Sequence, residues 1–400
     1  GFTQMTQELM DKGQKEGAEV LSNILNSIFE VMVKEVYHAQ GFITHYAGDA
    51  FTSIFPLSES PQNTAIAALQ CAQTIQDFFL KNGTQHSKFG SFDLQVKIGL
   101  SYGQTNWGIV GDEKIMGVHA CKFYFRGQAI SEAAMVEQKA QKGQTMLSQN
   151  FKKVLKETTL KGRYITPLVF CYEGIEAPSK IVFPPSQKPH LPKIQAEILN
   201  RFIPSEVAAF REKGEFRNIV SVFISFKGID SHDQINLFTS TVLKHIIRYK
   251  GDLKEIDFGD KGAMMVGFFG APVTHEDDLA RALYFVEEVA NEVQALEALK
   301  GLKFRIGITT GKVYAGILGG KYRCEYTCLG SIVNMAARIM MQADWQQIWV
   351  HETIAAHPHF NFQKRGTFSY KGFANAIPTY QYLGKAKNNA IYKSDTQLIG

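Results

Sequence analysis

Four hundred residues, 45% of them hydrophobic, are enough for two or three domains with real cores, and a formal net charge of +5 on 43 basic and 38 acidic residues is too slight to indicate a nucleic-acid partner. Five cysteines (Cys71, Cys121, Cys171, Cys324, Cys328), odd in number and without a CxxC spacing, exclude a disulfide framework and a zinc site and suit a cytoplasmic setting. No signal-peptide pattern and no apolar run near 18 residues occurs, so no membrane span is expected.

Taken in chain order, apolar positions at helical spacing predict a helix over 4–39. Phe42 to Phe51 then reads as strand, turn, strand, with Gly48-Asp49 at the turn, and 62–80 reads as a second helix. Lys97-Ile98-Gly99-Leu100-Ser101-Tyr102-Gly103 and Gly108-Ile109-Val110-Gly111 form an extended run with glycine-rich turns, followed by a helix after Gly127. The six prolines between 178 and 204, with one short amphipathic piece near 193–202, mark 176–216 as a linker. Helices follow over 232–248 and 276–299, with a strand–turn–strand between Asp252 and Phe269. Arg305-Ile306-Gly307 through Gly319 then repeats the earlier glycine-rich pattern, and 331–343 reads as a packed helix.

The order therefore occurs twice. An α+β fold is expected in each copy, with helices on one face of a mainly antiparallel sheet. The domain limits are 1–175 and 217–386, and 387–400 resembles a lead-in to a downstream ATPase module.

The two copies differ in complementary ways. Asn334 and Arg338 stand at i and i+4 on one helix face, where an amide and a guanidinium fork would hold an oxyanion, a phosphate or a nucleotide sugar. A capping Asn and a solvated Arg are the alternative. The first copy has Ser131 and Met135 there, yet it carries Asp49, an exposed turn carboxylate suited to a hard cation, where the second has Ala263. One composite site and one degenerate site are expected from an intramolecular domain pair.

The segments Gly1-Phe2-Thr3, Ala47-Gly48-Asp49-Ala50, Ile306-Gly307 through Gly319, and Glu325-Tyr326-Thr327 through Arg338 resemble the class III nucleotidyl cyclases. The likeness is to the tandem catalytic domains of the soluble, bicarbonate-responsive type of adenylyl cyclase, over almost the whole chain. It implies two ferredoxin-like domains in an intramolecular pseudo-heterodimer, converting ATP to 3′,5′-cyclic AMP and pyrophosphate with two Mg²⁺ or Mn²⁺ ions. By the same resemblance Asp49 is a metal ligand, and a second ligand would precede Gly1; Ser225 stands at that second place in the other copy. The backbone at Phe2 and Thr3 would cradle phosphates at a helix start. Asn334 would position the ribose, Arg338 would stabilise charge on the α-phosphate, and Thr327 would accept from the adenine amino group. The base-reading lysine is Lys254 with a local slip, since direct counting lands on Glu255, the guanylyl pattern. Lys371 resembles a phosphate-contacting lysine, with a solvated turn lysine as the other reading.

At the degenerate site a regulatory anion would need a lysine where this chain has His45. That residue carries an anion only when protonated, and a hydrogen-bonded core histidine is the other account. Guanylyl cyclase, a catalytically silent nucleotide-binding pseudo-dimer and a pair of RNA-binding modules are the competing functions; the weak charge opposes the last.

Overall fold

The computed structural model describes residues 2–57, 60–115, 118–155, 160–175, 189, 192–210, 214–259, 262–371, 373 and 375–386. The second half is built on the strand Glu215–Lys227, which pairs antiparallel with Ala263–Phe269 on one side and with Lys303–Gly319 on the other. The sheet continues outward to Asp252–Asp257 at one edge. At the other it runs through Ile348–His351 and Ile377–Lys385 to Phe360–Phe368, while Cys324–Leu329 pairs with the far end of Lys303–Gly319.

Residues Ile219 to Phe226 are buried without a break, and this decides how the sheet is covered. Val220, Val222, Ile224 and Phe226 face one core with Phe238, Phe285 and Val286 from the helices His232–Arg248 and Asp278–Ala295. Ile219 and Phe223 face the opposite core with Val333, Ala336 and Met340 of helix Ser331–Gln342. Helices thus lie on both faces, against the one-face expectation, because a strand apolar on both sides must be covered twice. Ser231 caps the first of these helices by accepting from the Gln234 N–H at 3.2 Å.

The glycine-rich turns expected after Arg305 are also corrected. Lys303–Gly319 is one 17-residue strand. Gly307 sits there because the backbone of Ala336 and Met340 passes directly over it, leaving no room for a Cβ.

In the first half the same pieces recur, but the sheet is split. Phe42–Ala47 and Ala50–Ile54 form a hairpin of their own, and Ile98–Leu100, Thr145–Ser148, Val169–Ile175 and Leu160–Thr166 form a four-stranded sheet in that order. Among the described residues no strand lies between them in the place Glu215–Lys227 takes in the second half. Asn106–Ile115 and Val118–Arg126 make a separate ribbon, and helices Phe2–His38, Pro61–Asn82 and Gln128–Lys139 complete this half.

The halves clasp each other reciprocally. Tyr314, Leu318 and Leu329 of the second half enter the core around helix Phe2–His38, while Val110, Ile115 and Tyr124 of the first enter the core around His232–Arg248. Asn26 Oδ1 accepts from the Gly319 N–H (3.2 Å), and Asn236 Oδ1 accepts from the Gly111 N–H (2.9 Å). The same bond made twice, once in each direction, marks a pseudo-twofold relation. The described part of the expected linker holds the short helices Ala196–Phe202 and Ser205–Ala209, and Glu215–Lys227 begins within it. The expected lead-in, 387–400, lies outside the described residues.

Candidate active site

A narrow cleft opens between the halves. Phe2, Thr3, Gly48 and Asp49 line it from the first half, and Cys328, Gly330 and Asn334 from the second. Thr3 lies in the opening turn of the 37-residue helix Phe2–His38, where backbone N–H groups have no intrahelical acceptor and the helix dipole favours an anion. Asp49 is exposed at the hairpin turn, preceded by Gly48 with φ of 69°, a left-handed conformation that glycine adopts without cost. Cys328 is fully buried, and burial pushes its thiol up to about 12, so it acts as an apolar wall.

Asn334 and Arg338 follow one another on a single face of helix Ser331–Gln342, both partly exposed. Gly330 precedes the helix with no side chain to block its first turn. The Arg338 guanidinium rests over the Phe373 ring at 5.3 Å from its centre, and burial lowers its pKa. Among the described residues no carboxylate is paired with it, so its donors are available to a ligand. Lys371 is an exposed turn residue two positions before Phe373.

Two expected base-reading residues are not among those that line the cleft. Thr327 is 1% exposed and shares its strand face with Glu325 and Leu329. Lys254 occupies a bulge: the register of Asp252–Asp257 on Ala263–Phe269 shifts between Leu253 and Glu255, as that of the first hairpin does between Ile43 and His45. Its ammonium donates to the Tyr46 carbonyl of the first half and to Glu255 at 2.7 Å. Burial pushes the Lys254 pKa down, but Glu255 and Glu325 raise it more, so the group stays charged. Lys254 thus stands at a bulge that both hairpins share, and its donors are already engaged. By the same registers Ala263 falls where Asp49 stands in the first hairpin.

Spacing could not reveal the charges that surround Lys254. Glu325 accepts from the Tyr46 N–H at 3.1 Å, and His45 Nε2 lies 3.2 Å from Asp257 Oδ1. Burial pushes Glu325 up, yet Lys254 and Arg323 hold its carboxyl below the ordinary range. His45 is buried against a carboxylate, as a hydrogen-bonded core histidine would be.

At the opposite pseudosymmetric position several side chains pack on one another. The Arg126 guanidinium lies over the rings of Tyr124 (5.8 Å) and Phe258 (5.9 Å) and donates to the Asp230 carbonyl. Tyr124 Oη is 3.0 Å from His232 Nδ1. Ser131 and Met135 stand on helix Gln128–Lys139 where the other copy has Asn334 and Arg338.

Residues 1–167 and 252–384 match the family described as the Adenylate and Guanylate cyclase catalytic domain. The chain belongs to this family. Two matched segments make it a tandem pair of cyclase domains within one chain. It is 25% identical to human adenylate cyclase type 10 over 432 aligned positions, covering 97% of this chain and 26% of that protein. The rat adenylate cyclase type 10 is 24% identical over 96% of the chain and 26% of its own length. The chain thus spans about a quarter of the length of these relatives. Among solved structures, the adenylyl cyclase CyaB from P. aeruginosa aligns with a TM-score of 0.40 at 20% identity, over 44% of this chain and 99% of its own. The guanylyl cyclase Cya2 aligns with a TM-score of 0.38 at 24% identity, over 44% and 96%. No helix among the described residues of this cyclase pair is long and apolar enough to cross a membrane.

Proposed function

We propose that the chain is an adenylyl cyclase that forms 3′,5′-cyclic AMP and pyrophosphate from ATP at the single cleft between its halves. The observation that carries this reading is the joint lining of that cleft by Asp49, Phe2 and Thr3 from one half and Asn334 from the other. The adenylyl relatives, matched over nearly the whole chain, favour ATP over GTP.

Among the described residues no three His, Cys, Asp or Glu side chains gather for a metal, and Asp49 is the one carboxylate in the described lining. Mg²⁺ commonly takes one or two carboxylates and completes its shell with substrate phosphates and water, so Asp49 fits a cation shared with the triphosphate and does not by itself make a closed two-ion cage. A divalent ion bound there would neutralise phosphate charge and acidify the ribose 3′-hydroxyl. The chain's own groups do the rest. The N–H groups at Phe2 and Thr3 hold the phosphate tail at the helix start. Asn334 orients the ribose so that its 3′-oxygen faces the α-phosphorus, and Arg338, one turn on, meets the charge that grows on the α-phosphate oxygens. Thr327 and Lys254 would serve the base, although neither lines the cleft. For Lys254 to reach a purine it must leave the Tyr46 carbonyl.

Incubating the chain, extended upstream of Gly1, with ATP or GTP and Mg²⁺ or Mn²⁺, and measuring cyclic product, tests the reading. Cyclic AMP that disappears in Asp49→Asn supports it. A folded chain that binds nucleotide and yields no product is a silent regulatory pseudo-dimer. Cyclic GMP as the main product makes it a guanylyl cyclase, with Glu255 the base-side residue to examine.

A further inference from the structure

The strand that ends in the Asp49 turn is gripped from the second half. At Tyr46 the N–H donates to Glu325, the carbonyl accepts from Lys254, and the hydroxyl donates to the Arg323 carbonyl at 2.9 Å. One residue earlier His45, 9% exposed, meets Asp257. The charged groups around the imidazole are Asp257, Glu255 and Lys254 on Asp252–Asp257, and Glu325 on Cys324–Leu329 with Arg323 beyond it. Its own hairpin adds only the Thr44 hydroxyl.

The hydrogen bonds around this imidazole distinguish two protonation states. Thr44 Oγ1 lies 3.1 Å from the Thr52 carbonyl and 3.0 Å from His45 Nδ1. A hydroxyl has one hydrogen and a carbonyl can only accept, so when that hydrogen goes to Thr52 the ring must donate through Nδ1. Nε2 faces a carboxylate and donates as well. A ring that donates from both nitrogens is an imidazolium.

We propose that His45 and Asp257 form a proton-dependent clamp that positions the Asp49 hairpin against the second half. With the imidazole charged, Thr44 closes the hairpin onto Thr52 and Asp257 holds it across the halves. When Nδ1 loses its proton, the Thr44 hydroxyl turns to that nitrogen and releases the Thr52 carbonyl, three residues after Asp49, while the cross-half pair loses one of its charges. Burial pushes the His45 pKa down, but the hydrogen bond to Asp257 and the charges of Glu255 and Asp257 overcome both this and the opposing Lys254, leaving it above the ordinary histidine value.

The consequence for turnover rests on the cleft being the cyclase site; the protonation of His45 does not. The whole chain, labelled with ¹⁵N at histidine, is titrated between about pH 6 and pH 9, with His45→Gln identifying the signal, or Asp257→Asn shifting it should the first variant not fold. Both nitrogens are expected to be protonated at the acid end of the titration, with the midpoint above the usual value of about 6.5. Amide protection within 42–54 should fall at least tenfold over the same range. Cyclic-nucleotide formation should fall about tenfold per pH unit beyond that point, a decline that His45→Gln flattens. Titration at or below the usual histidine value of about 6.5, or titration without any change in exchange at 42–54, overturns the clamp. If neither nucleotide gives product, the reading of the cleft fails, and the imidazole signal and the exchange data still judge the clamp.

Discussion

Asn334 and Arg338 carry different loads although they share a helix face. In the proposed reaction Arg338 would meet charge that exists only as the α-phosphate reacts, so Arg338→Ala should lower kcat by about 10²–10³-fold, the usual loss for one such donor. Asn334 would hold the ribose in line, and Asn334→Ala should also act mainly on kcat with KM little changed. Unchanged turnover in both variants would remove them from the site. These residues and Asp49 were legible in the sequence because local spacing carries their geometry: four residues on a helix, or two at a hairpin turn. Asp257 and Glu325 were not legible, since each acts on a strand about 210 or 280 residues away. Their effect on stability has a definite sign. Because His45 has a raised pKa in the folded chain, its contribution is fully present below the unfolded value and is lost as pH rises through the folded one. Melting temperature should therefore decline on the alkaline side of neutrality in the wild type and less so in His45→Gln.

Among the elements, helices and hairpins followed their sequence periods closely, and the misreading fell on glycine. The glycine-rich turns expected within 305–319 are part of one long strand, and Gly307 in it lies where helix Ser331–Gln342 crosses too closely for any side chain. A methyl group there must push backbone, not a yielding side chain. Gly307→Ala should thus cost about 1–3 kcal/mol and lower the melting temperature by several degrees, measurable by calorimetry. A variant as stable as the parent would show that the helix can slide away. The helices on both sheet faces were missed for a related reason. The unbroken apolar run from Ile219 to Phe226 gives no alternation from which to choose a face, and only the packed neighbours distinguish Ile219 from Val220.

At the scale of the whole molecule the halves are not separable cores joined by a linker. Each ribbon, Asn106–Ile115 with Val118–Arg126 and the far part of Lys303–Gly319 with Cys324–Leu329, lies against a helix of the other half and adds buried residues to its core. Heating should produce one cooperative transition; two resolved transitions would refute this coupling. The amino-acid sequence by itself determined the repeat, the helices and hairpins, the family and the reciprocal loss of Asp49 and the Asn334/Arg338 pair, because all of these depend on order and spacing within one short stretch. Only the tertiary structure decided which surfaces meet: that Asp49 and Asn334 share a cleft, that Arg126 and Phe258 pack together at the opposite position, and that His45 faces Asp257. Those outcomes depend on burying apolar strands and charges from distant parts of the chain together, and no periodicity along the chain records a contact made between its halves.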